Sequence, residues 1–214
     1  MQTLTEPILD AAVVRAAIVR CRIAVERHRR MLTRLDAVLG DGDHGDNLVT
    51  GFRAAEMHVA ELPADTAPGE LFRAVGHRLV AAVGGASGPL YGTAFIEAGF
   101  SAGAAITIDG PMAGAMLAAA AAGLARRGRC SVGDKTILDT LQPAATAFAN
   151  AVRGRATAGE ASAAMLAAAA AGMRSTRPLV ARRGLALRLG SRSAGHLDPG
   201  AVSCFVILRA LVGP

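Results

Sequence analysis

The stretch Leu35–Asn47 reads LDAVLGDGDHGDN and contains the sharpest break in an otherwise helical pattern. It places three carboxylates, Asp36, Asp41 and Asp43, within eight residues and separates them with glycines. A continuous helix would point Asp36 and Asp41 about 140° apart, because each residue turns the chain by about 100°. The glycines therefore predict that one helix ends here and that the backbone folds back, which brings the three acids together.

This acidic stretch favours a cation site. Three convergent carboxylates repel one another unless a cation lies between them, and all-oxygen ligands favour Mg²⁺ or Ca²⁺ over zinc. Asp-Gly pairs are also common in turns, and Asp43 can cap the following helix, so an ordinary turn remains the alternative for the DGD alone. A calcium-binding EF-hand fits poorly, because a loop that starts at Asp41 lacks glycine at the sixth position and glutamate at the twelfth.

The composition favours an all-α protein. The 214 residues are 52% hydrophobic but only 3% aromatic, so the core must be built from Ala, Leu, Val and Met. We predict one domain, residues 1–214, which is long enough to bury a core. We expect no membrane span and no secretory signal, because no apolar run reaches about eighteen residues and the N-terminus lacks a basic and apolar leader. Three cysteines without metal-site spacing indicate reduced thiols in a cytoplasmic protein.

The net charge of +6 does not by itself predict a nucleic-acid partner. The arginines are scattered along the helices, and one tyrosine with no tryptophan leaves little for base stacking. A positive field that attracts nucleotide phosphates or an acidic partner explains the charge equally well. The single lysine, Lys135, lies in a GDKT segment, where it is either a phosphate contact or a surface residue.

Apolar residues recur at spacings of three and four along most of the chain, which predicts eight helices. Their approximate bounds are 7–39, 44–62, 69–83, 87 onward, 111–127, 136–152, 158–175 and 199–211. Short loops between them predict an antiparallel bundle or barrel. The one β-branched cluster, Ala104–Ile108, is too short to predict more than a minor strand.

Four glycine-bearing loops precede helices and form the predicted site. They read GDGDHGDN (40–47), GGASGPLYG (84–92), GRCSVGDKT (128–136) and GHLDPGA (195–201). The N-terminus of a helix carries free N–H groups and a partial positive charge, so it binds phosphate readily. Several such ends at one rim of the bundle, beside an acidic cation site, predict a nucleotide site. Neither a GxxxxGK[ST] P-loop nor a GxGxxG dinucleotide motif occurs.

These motifs, in this order and over nearly the whole chain, resemble the L subunit of dihydroxyacetone kinases. The resemblance rests on LDAVLGDGDHGDN, GGASGPLYG, GDKTILDTLQPA and GSRSAGHLDPGA. It implies an eight-helix barrel that binds ADP or ATP with two Mg²⁺ ions and transfers phosphoryl to a short ketose. It also implies a partner K subunit that carries the ketose and, in one branch, a phosphohistidine subunit of the phosphotransferase system. It leaves the acceptor sugar and a homodimeric state open.

The resemblance also assigns roles to individual residues. The Mg²⁺ ligands are expected to be Asp36, Asp41 and Asp43, and the nucleotide contacts are expected to be His44, Gly45, Asp46, Asn47, Ala86, Ser87, Gly128, Ile137, Asp198 and Pro199. Gly128 and Ile137 would flank the adenine or ribose.

One segment departs from the family pattern. The family usually has GRASYLGERS, whose arginine reaches the nucleotide phosphates, where this chain has GLALRLGSRS at 184–193 with Leu185 at the arginine position. A cation there can change the rate of phosphoryl transfer by orders of magnitude. The departure leaves two hypotheses within the family: Arg182, Arg183 or Arg188 substitutes, or the chain is a nucleotide-loaded regulatory module with little transfer activity. A third hypothesis, independent of this segment, is an all-α structural or nucleic-acid-binding protein.

Overall fold

Residues 9–213 are described by the computed structural model, and they form eight α-helices and one 3₁₀ helix. The α-helices are α1 (Ala11–Leu39), α2 (His44–Glu61), α3 (Pro68–Ala82), α4 (Ser87–Ala102), α5 (Gly110–Gly128), α6 (Leu138–Arg153), α7 (Ala158–Ser175) and α8 (Pro199–Val212). The 3₁₀ helix, Leu185–Ser193, lies between α7 and α8, is kinked at Gly190 (φ +54°) into two short pieces, and was not predicted. Within the described part of the chain, strand-like pairing is limited to an antiparallel bridge between Leu9 and Ile108. The all-α prediction is confirmed.

The first helix begins later than the sequence predicted. It starts at Ala11, because the carboxylate of Asp10 caps it by accepting the N–H of Val13 at 2.9 Å. The predicted start at Pro7 lies outside the described residues. The sixth helix also begins later, at Leu138.

The α-helices form a ring in chain order. Each helix packs against its neighbours in sequence, and α8 closes the ring by packing against both α7 and α1. α8 is the most apolar of the helices and most of its residues are buried, as expected for a strongly apolar final helix. Apolar side chains inside the ring line a partly open cavity of about 620 Å³. No helix in residues 9–213 is both long enough and apolar enough to span a membrane.

α3 and α4 approach each other closely because glycines face one another across the pair. A Cβ placed on Gly76 would lie 2.6 Å from the carbonyl oxygen of Gly92, and one placed on Gly69 would lie 2.5 Å from that of Gly103. These distances leave no room for a side chain, so the backbones themselves make the contact. A core poor in aromatic residues is packed in this way.

A small apolar cluster holds the 3₁₀ helix beside the end of α1. Leu39 packs against Ala181 and Ala186, with Leu189 at the edge. This contact places residues 183–186 next to the loop that follows α1, which is the acidic loop of the predicted site.

Candidate functional site

The acidic loop brings its three carboxylates together. Asp36 lies in the last turn of α1, and the chain then folds back through Gly42, which has a φ of +79°. One oxygen each from Asp36, Asp41 and Asp43 lies within 4.8 Å of the others. The convergence that the glycines predicted is therefore present in the structure.

Asp36 organises this loop through its backbone. Its Oδ2 accepts the N–H of Gly42 at 3.0 Å, of Asp43 at 3.1 Å and of His44 at 3.2 Å. Asp36 is only 9% exposed, whereas Asp41 and Asp43 are exposed at the mouth of a cavity. The buried carboxylate fixes the loop geometry and the other two face outward.

The electrostatics of the cluster fit a bound cation. Partial loss of hydration in the folded loop raises the pKa of Asp43 even though its side chain is exposed. A hydrogen bond from Asn47 lowers this pKa, and the nearby charges of Asp41 and Asp36 raise it further. Like charges at this separation destabilise the ionised loop. Oxygen ligands from three carboxylates match the donor set of Mg²⁺, which therefore fits these residues.

The acidic loop forms one wall of a cavity of about 370 Å³. The other walls come from the ends of several helices and from the segment beside the 3₁₀ helix: residues 84–87, 89–90, 127–128, 130, 135–137, 183–186 and 198–200. All four glycine-bearing loops that the sequence singled out thus contribute to one cavity at one rim of the ring.

Most of the predicted site residues line this cavity. They are Asp36, Asp41, Asp43, His44, Ala86, Ser87, Gly128, Ile137, Asp198 and Pro199. The cavity wall does not include the next three residues of the acidic loop, Gly45, Asp46 and Asn47. Asp46 instead pairs with Arg29 and accepts from Thr33 Oγ1 at 3.3 Å, and a side chain at Gly45 would collide with α1. A nucleotide contact by these three residues stays a prediction.

His44 is buried at the start of α2, and burial lowers its pKa. Its Nδ1 lies 2.9 Å from Ser87 Oγ at the start of α4, and its Nε2 lies 2.8 Å from Ser203 Oγ in α8. Ser203 Oγ in turn lies 2.6 Å from the hydroxyl of Tyr91. Sequence reasoning did not single out Ser203 or Tyr91. The signal that could have identified Ser203 was a hydroxyl side chain within the most apolar helix.

Lys135 is not a surface residue: it is buried beside the cavity, and a contact with the nucleotide phosphates stays a prediction. It is 2% exposed, and its ammonium donates to the carbonyl of Thr176 at 2.7 Å and to that of His196. Burial lowers its pKa. Lys135 therefore ties the end of α7 and the loop before α8 to the third glycine-bearing loop.

The segment before the 3₁₀ helix brings one arginine to the cavity. Arg183 lines the cavity, whereas Arg182 and Arg188 do not. The Nε of Arg183 donates to the carbonyl of Arg129 at 2.6 Å and lies 3.5 Å from Asp134 Oδ2. Leu185 also lines the cavity and is 43% exposed.

Comparison with known proteins identifies close relatives of this chain. Residues 38–213 match the DAK2 domain family. The ADP-binding subunit DhaL of PEP-dependent dihydroxyacetone kinase 2 from Listeria innocua is 36% identical over 212 residues, covering 98% of this chain and 97% of that protein. The ADP-binding subunit DhaL of PEP-dependent dihydroxyacetone kinase from Escherichia coli is 35% identical, covering 91% of this chain and 92% of its relative.

A solved structure has the same fold. The dihydroxyacetone kinase from C. freundii, in complex with AMP-PNP and Mg²⁺, superposes with a TM-score of 0.70 at 26% identity and covers 99% of this chain. The present chain spans only 35% of the length of that kinase. The match therefore concerns one part of the larger enzyme.

Proposed function

This chain belongs to the DAK2 domain family, and from that membership we propose that it is the nucleotide-binding subunit of a kinase for dihydroxyacetone or a related short ketose. The observation that carries the proposal is the meeting of three carboxylates and several helix N-termini around one cavity. The near full-length match to two ADP-binding subunits supports the same function. The enzyme is a phosphotransferase that acts together with a partner subunit.

Asp36, Asp41 and Asp43 would hold Mg²⁺, two ions by family resemblance, and the bound cation would neutralise the charge of the nucleotide phosphates. The backbone N–H groups at the start of α4 would meet the phosphates, since no side chain caps that helix. Gly128 and Ile137 would flank the base or ribose, and Asp198 with Pro199 would close the opposite wall.

The ketose would be carried by a separate K subunit. Leu185 at the cavity is an exposed apolar side chain, and Val132 and Leu187 are exposed apolar side chains in segments that contribute to the cavity wall; they suit contact with such a partner. Both relatives are PEP-dependent by name, which supports the branch in which a phosphohistidine subunit rephosphorylates bound ADP. The three buried, unpaired cysteines support a reducing, cytoplasmic setting.

Arg183 is the arginine that we propose for the cationic role, because Leu185 occupies the usual position. It already lines the cavity, and its contacts with Arg129 and Asp134 use the Nε side of the guanidinium. The alternative function is a nucleotide-loaded regulatory module with little transfer activity, which the apolar Leu185 at the cavity favours.

Calorimetric titration of ADP, with and without Mg²⁺, tests the nucleotide-binding function. We expect Mg²⁺-dependent binding that Asp41→Asn abolishes and that Asp65→Asn, a change of an exposed aspartate in the loop after α2, leaves intact. Native affinity in Asp41→Asn would contradict the proposed metal site. A phosphorylation assay with the cognate K subunit then separates the two functions, because turnover at a normal kinase rate rejects the regulatory module. A lower rate of phosphorylation in Arg183→Leu than in the unaltered protein supports the role of Arg183.

A further inference from the structure

One segment beside the nucleotide cavity carries the whole net charge of the chain. We call residues 174–197, which include the 3₁₀ helix, the arginine segment. The chain has 23 basic and 17 acidic side chains, and the arginine segment contains six of the basic ones and none of the acidic ones. The rest of the chain is therefore electrically balanced, and the net charge of +6 is concentrated at one rim of the ring.

The backbone of the arginine segment holds its arginines close together. Its main chain closes on itself, because the N–H of Gly195 donates to the carbonyl of Arg177 at 2.7 Å and the N–H of Ala181 donates to Ser193 Oγ at 2.8 Å. The small apolar cluster around Leu39 fixes the segment to the end of α1. All six arginines of this ordered segment are exposed: Arg174, Arg177, Arg182, Arg183, Arg188 and Arg192.

The proposed nucleotide site does not use most of this charge. Among the six arginines, only Arg183 lines the cavity. Within residues 9–213, the side-chain hydrogen bonds and ion pairs of these arginines are limited to Arg177 and Arg183, and their one acidic partner is Asp134, 3.5 Å from Arg183 Nε. Like charges in one closed segment repel one another. The other four guanidinium groups are therefore free to pair with an acidic surface outside this chain.

Apolar side chains lie exposed between the arginines, which favours a protein over a nucleic acid as the partner. Val180, Leu185 and Leu187 are 44%, 43% and 55% exposed. Arginine together with exposed apolar side chains matches the composition of protein interfaces. A surface for single-stranded nucleic acid offers aromatic side chains for base stacking, and the arginine segment contains no Phe, Tyr or Trp.

We propose that the arginine segment is the docking surface for an acidic face of the ketose-carrying subunit. The proposal rests on the proposed function, because phosphoryl passes directly from the nucleotide to the ketose only if the two bound groups meet at the cavity. Residues 183–186 line that cavity, so a subunit that brings the ketose there contacts the arginine segment. Its contact surface therefore carries aspartate and glutamate side chains opposite the arginines.

The charged and the apolar parts of this surface affect different rates. Attraction between opposite charges speeds the encounter of two proteins by about 10- to 1,000-fold at low salt, and added salt screens it. Apolar contacts act mainly on dissociation, which salt changes little. Association rates at two salt concentrations therefore isolate the contribution of the arginines.

Kinetics of association between the Mg-ADP-loaded protein and the cognate ketose-carrying subunit test the proposal. We expect the double variant Arg188→Glu, Arg192→Glu to associate at least about 10-fold more slowly in about 20 mM NaCl, and the difference to shrink to about twofold in about 500 mM NaCl. The double variant Arg188→Gln, Arg192→Gln should lie between these limits. Neither arginine lines the nucleotide cavity, so the affinity of both variants for Mg-ADP should stay unchanged.

The double variant Arg27→Glu, Arg30→Glu is the matched control. Both arginines are exposed on α1, about 13–18 Å along the helix from its end at Leu39. This variant changes the net charge by the same amount, but we expect its association rate to stay within about twofold of that of the unaltered protein. Equal slowing in the two charge-reversed variants would overturn the proposal, because it would show attraction by net charge alone.

A phosphorylation assay provides a second readout that a catalytic role would not give. In Arg188→Glu, Arg192→Glu, the concentration of ketose-carrying subunit that gives the half-maximal rate should rise about 10-fold, whereas the rate at saturating subunit should stay within about twofold. A lower rate at saturating subunit with an unchanged half-maximal concentration would overturn the docking role.

The failure of the docking surface and the failure of the nucleotide function give different results. Unchanged association in Arg188→Glu, Arg192→Glu, with Mg-ADP binding intact, would overturn the docking surface alone. The same holds if this variant loses binding only to a DNA oligonucleotide or only to the phosphohistidine subunit, since either result would assign the surface to another partner. Absence of Mg-ADP binding in the unaltered protein, with salt-dependent association retained, would refute the nucleotide function and support the docking surface.

Discussion

At the scale of single residues, the carboxylates of the acidic loop have two different roles: one shapes the loop and another contributes charge. Asp36 is buried and accepts three backbone N–H groups, so it holds the loop in shape even before a ligand arrives. Asp41 is exposed and adds mainly charge to the cluster. The two residues should therefore respond differently to replacement, although both are proposed to bind the same cation.

We predict that Asp36→Ala lowers the free energy of unfolding of the ligand-free protein by about 1–3 kcal/mol, because three N–H groups lose their acceptor. Asp41→Ala should change it by less than about 0.5 kcal/mol, as expected for an exposed side chain. Urea unfolding in EDTA measures both values, and Mg-ADP titration should show that both variants have lost nucleotide binding. Equal stability of the two variants would contradict the assigned difference.

At the scale of elements, the pair α3–α4 shows how an alanine- and glycine-rich sequence makes a rigid wall. Gly76 and Gly92 face each other so closely that a Cβ on either would lie within 2.8 Å of the other backbone. Gly114, in the middle of α5, has its nearest neighbours at 3.7 Å or more, which is ordinary van der Waals distance. An added methyl group therefore fits at Gly114 and does not fit at Gly76.

Gly76→Ala should destabilise the protein by about 1–3 kcal/mol, because the added methyl overlaps Gly92 and Ile96 in a packed contact. Gly114→Ala should instead stabilise it by about 0.5–1 kcal/mol, since alanine lowers the entropy of the unfolded chain at no steric cost. Thermal and urea unfolding of the two variants provide the comparison. A stabilising Gly76→Ala would show that α3 and α4 are not in close contact.

The sequence predicted elements that depend on local signals. The eight α-helices followed from apolar periodicity. The structure adds the caps Asp109 and Asp198, each of which accepts a backbone N–H at the start of its helix. The convergence of Asp36, Asp41 and Asp43 followed from the glycines between them. A few residues that are neighbours in sequence determine each of these features, so a single sequence is enough to predict them.

The features that sequence reasoning missed depend on distant contacts. Lys135 is buried because Thr176 and His196 offer it two carbonyls, and neither residue is near it in sequence. Ser203 joins His44 across 159 positions of the chain. The 3₁₀ helix is held by its packing on Leu39 rather than by helical periodicity. Such partners become visible only when the ring of helices is assembled.

At the scale of the whole molecule, the ring explains why four separate loops serve one site. Helices that alternate in direction place every second loop at the same rim, and closure by α8 brings the last loop beside the first. The acidic loop and the helix N-termini then face one another across a cavity of about 370 Å³. The central claim is that the residues at this rim bind the phosphates of a nucleotide through a divalent cation.

Anomalous diffraction from crystals grown with ADP and Mn²⁺, which replaces Mg²⁺ and scatters strongly, tests this claim most directly. We predict an anomalous peak within coordination distance of Asp36, Asp41 and Asp43, in contact with the ADP phosphates at the start of α4. ADP bound away from this rim, or a cation peak that none of the three carboxylates touches, would contradict the account.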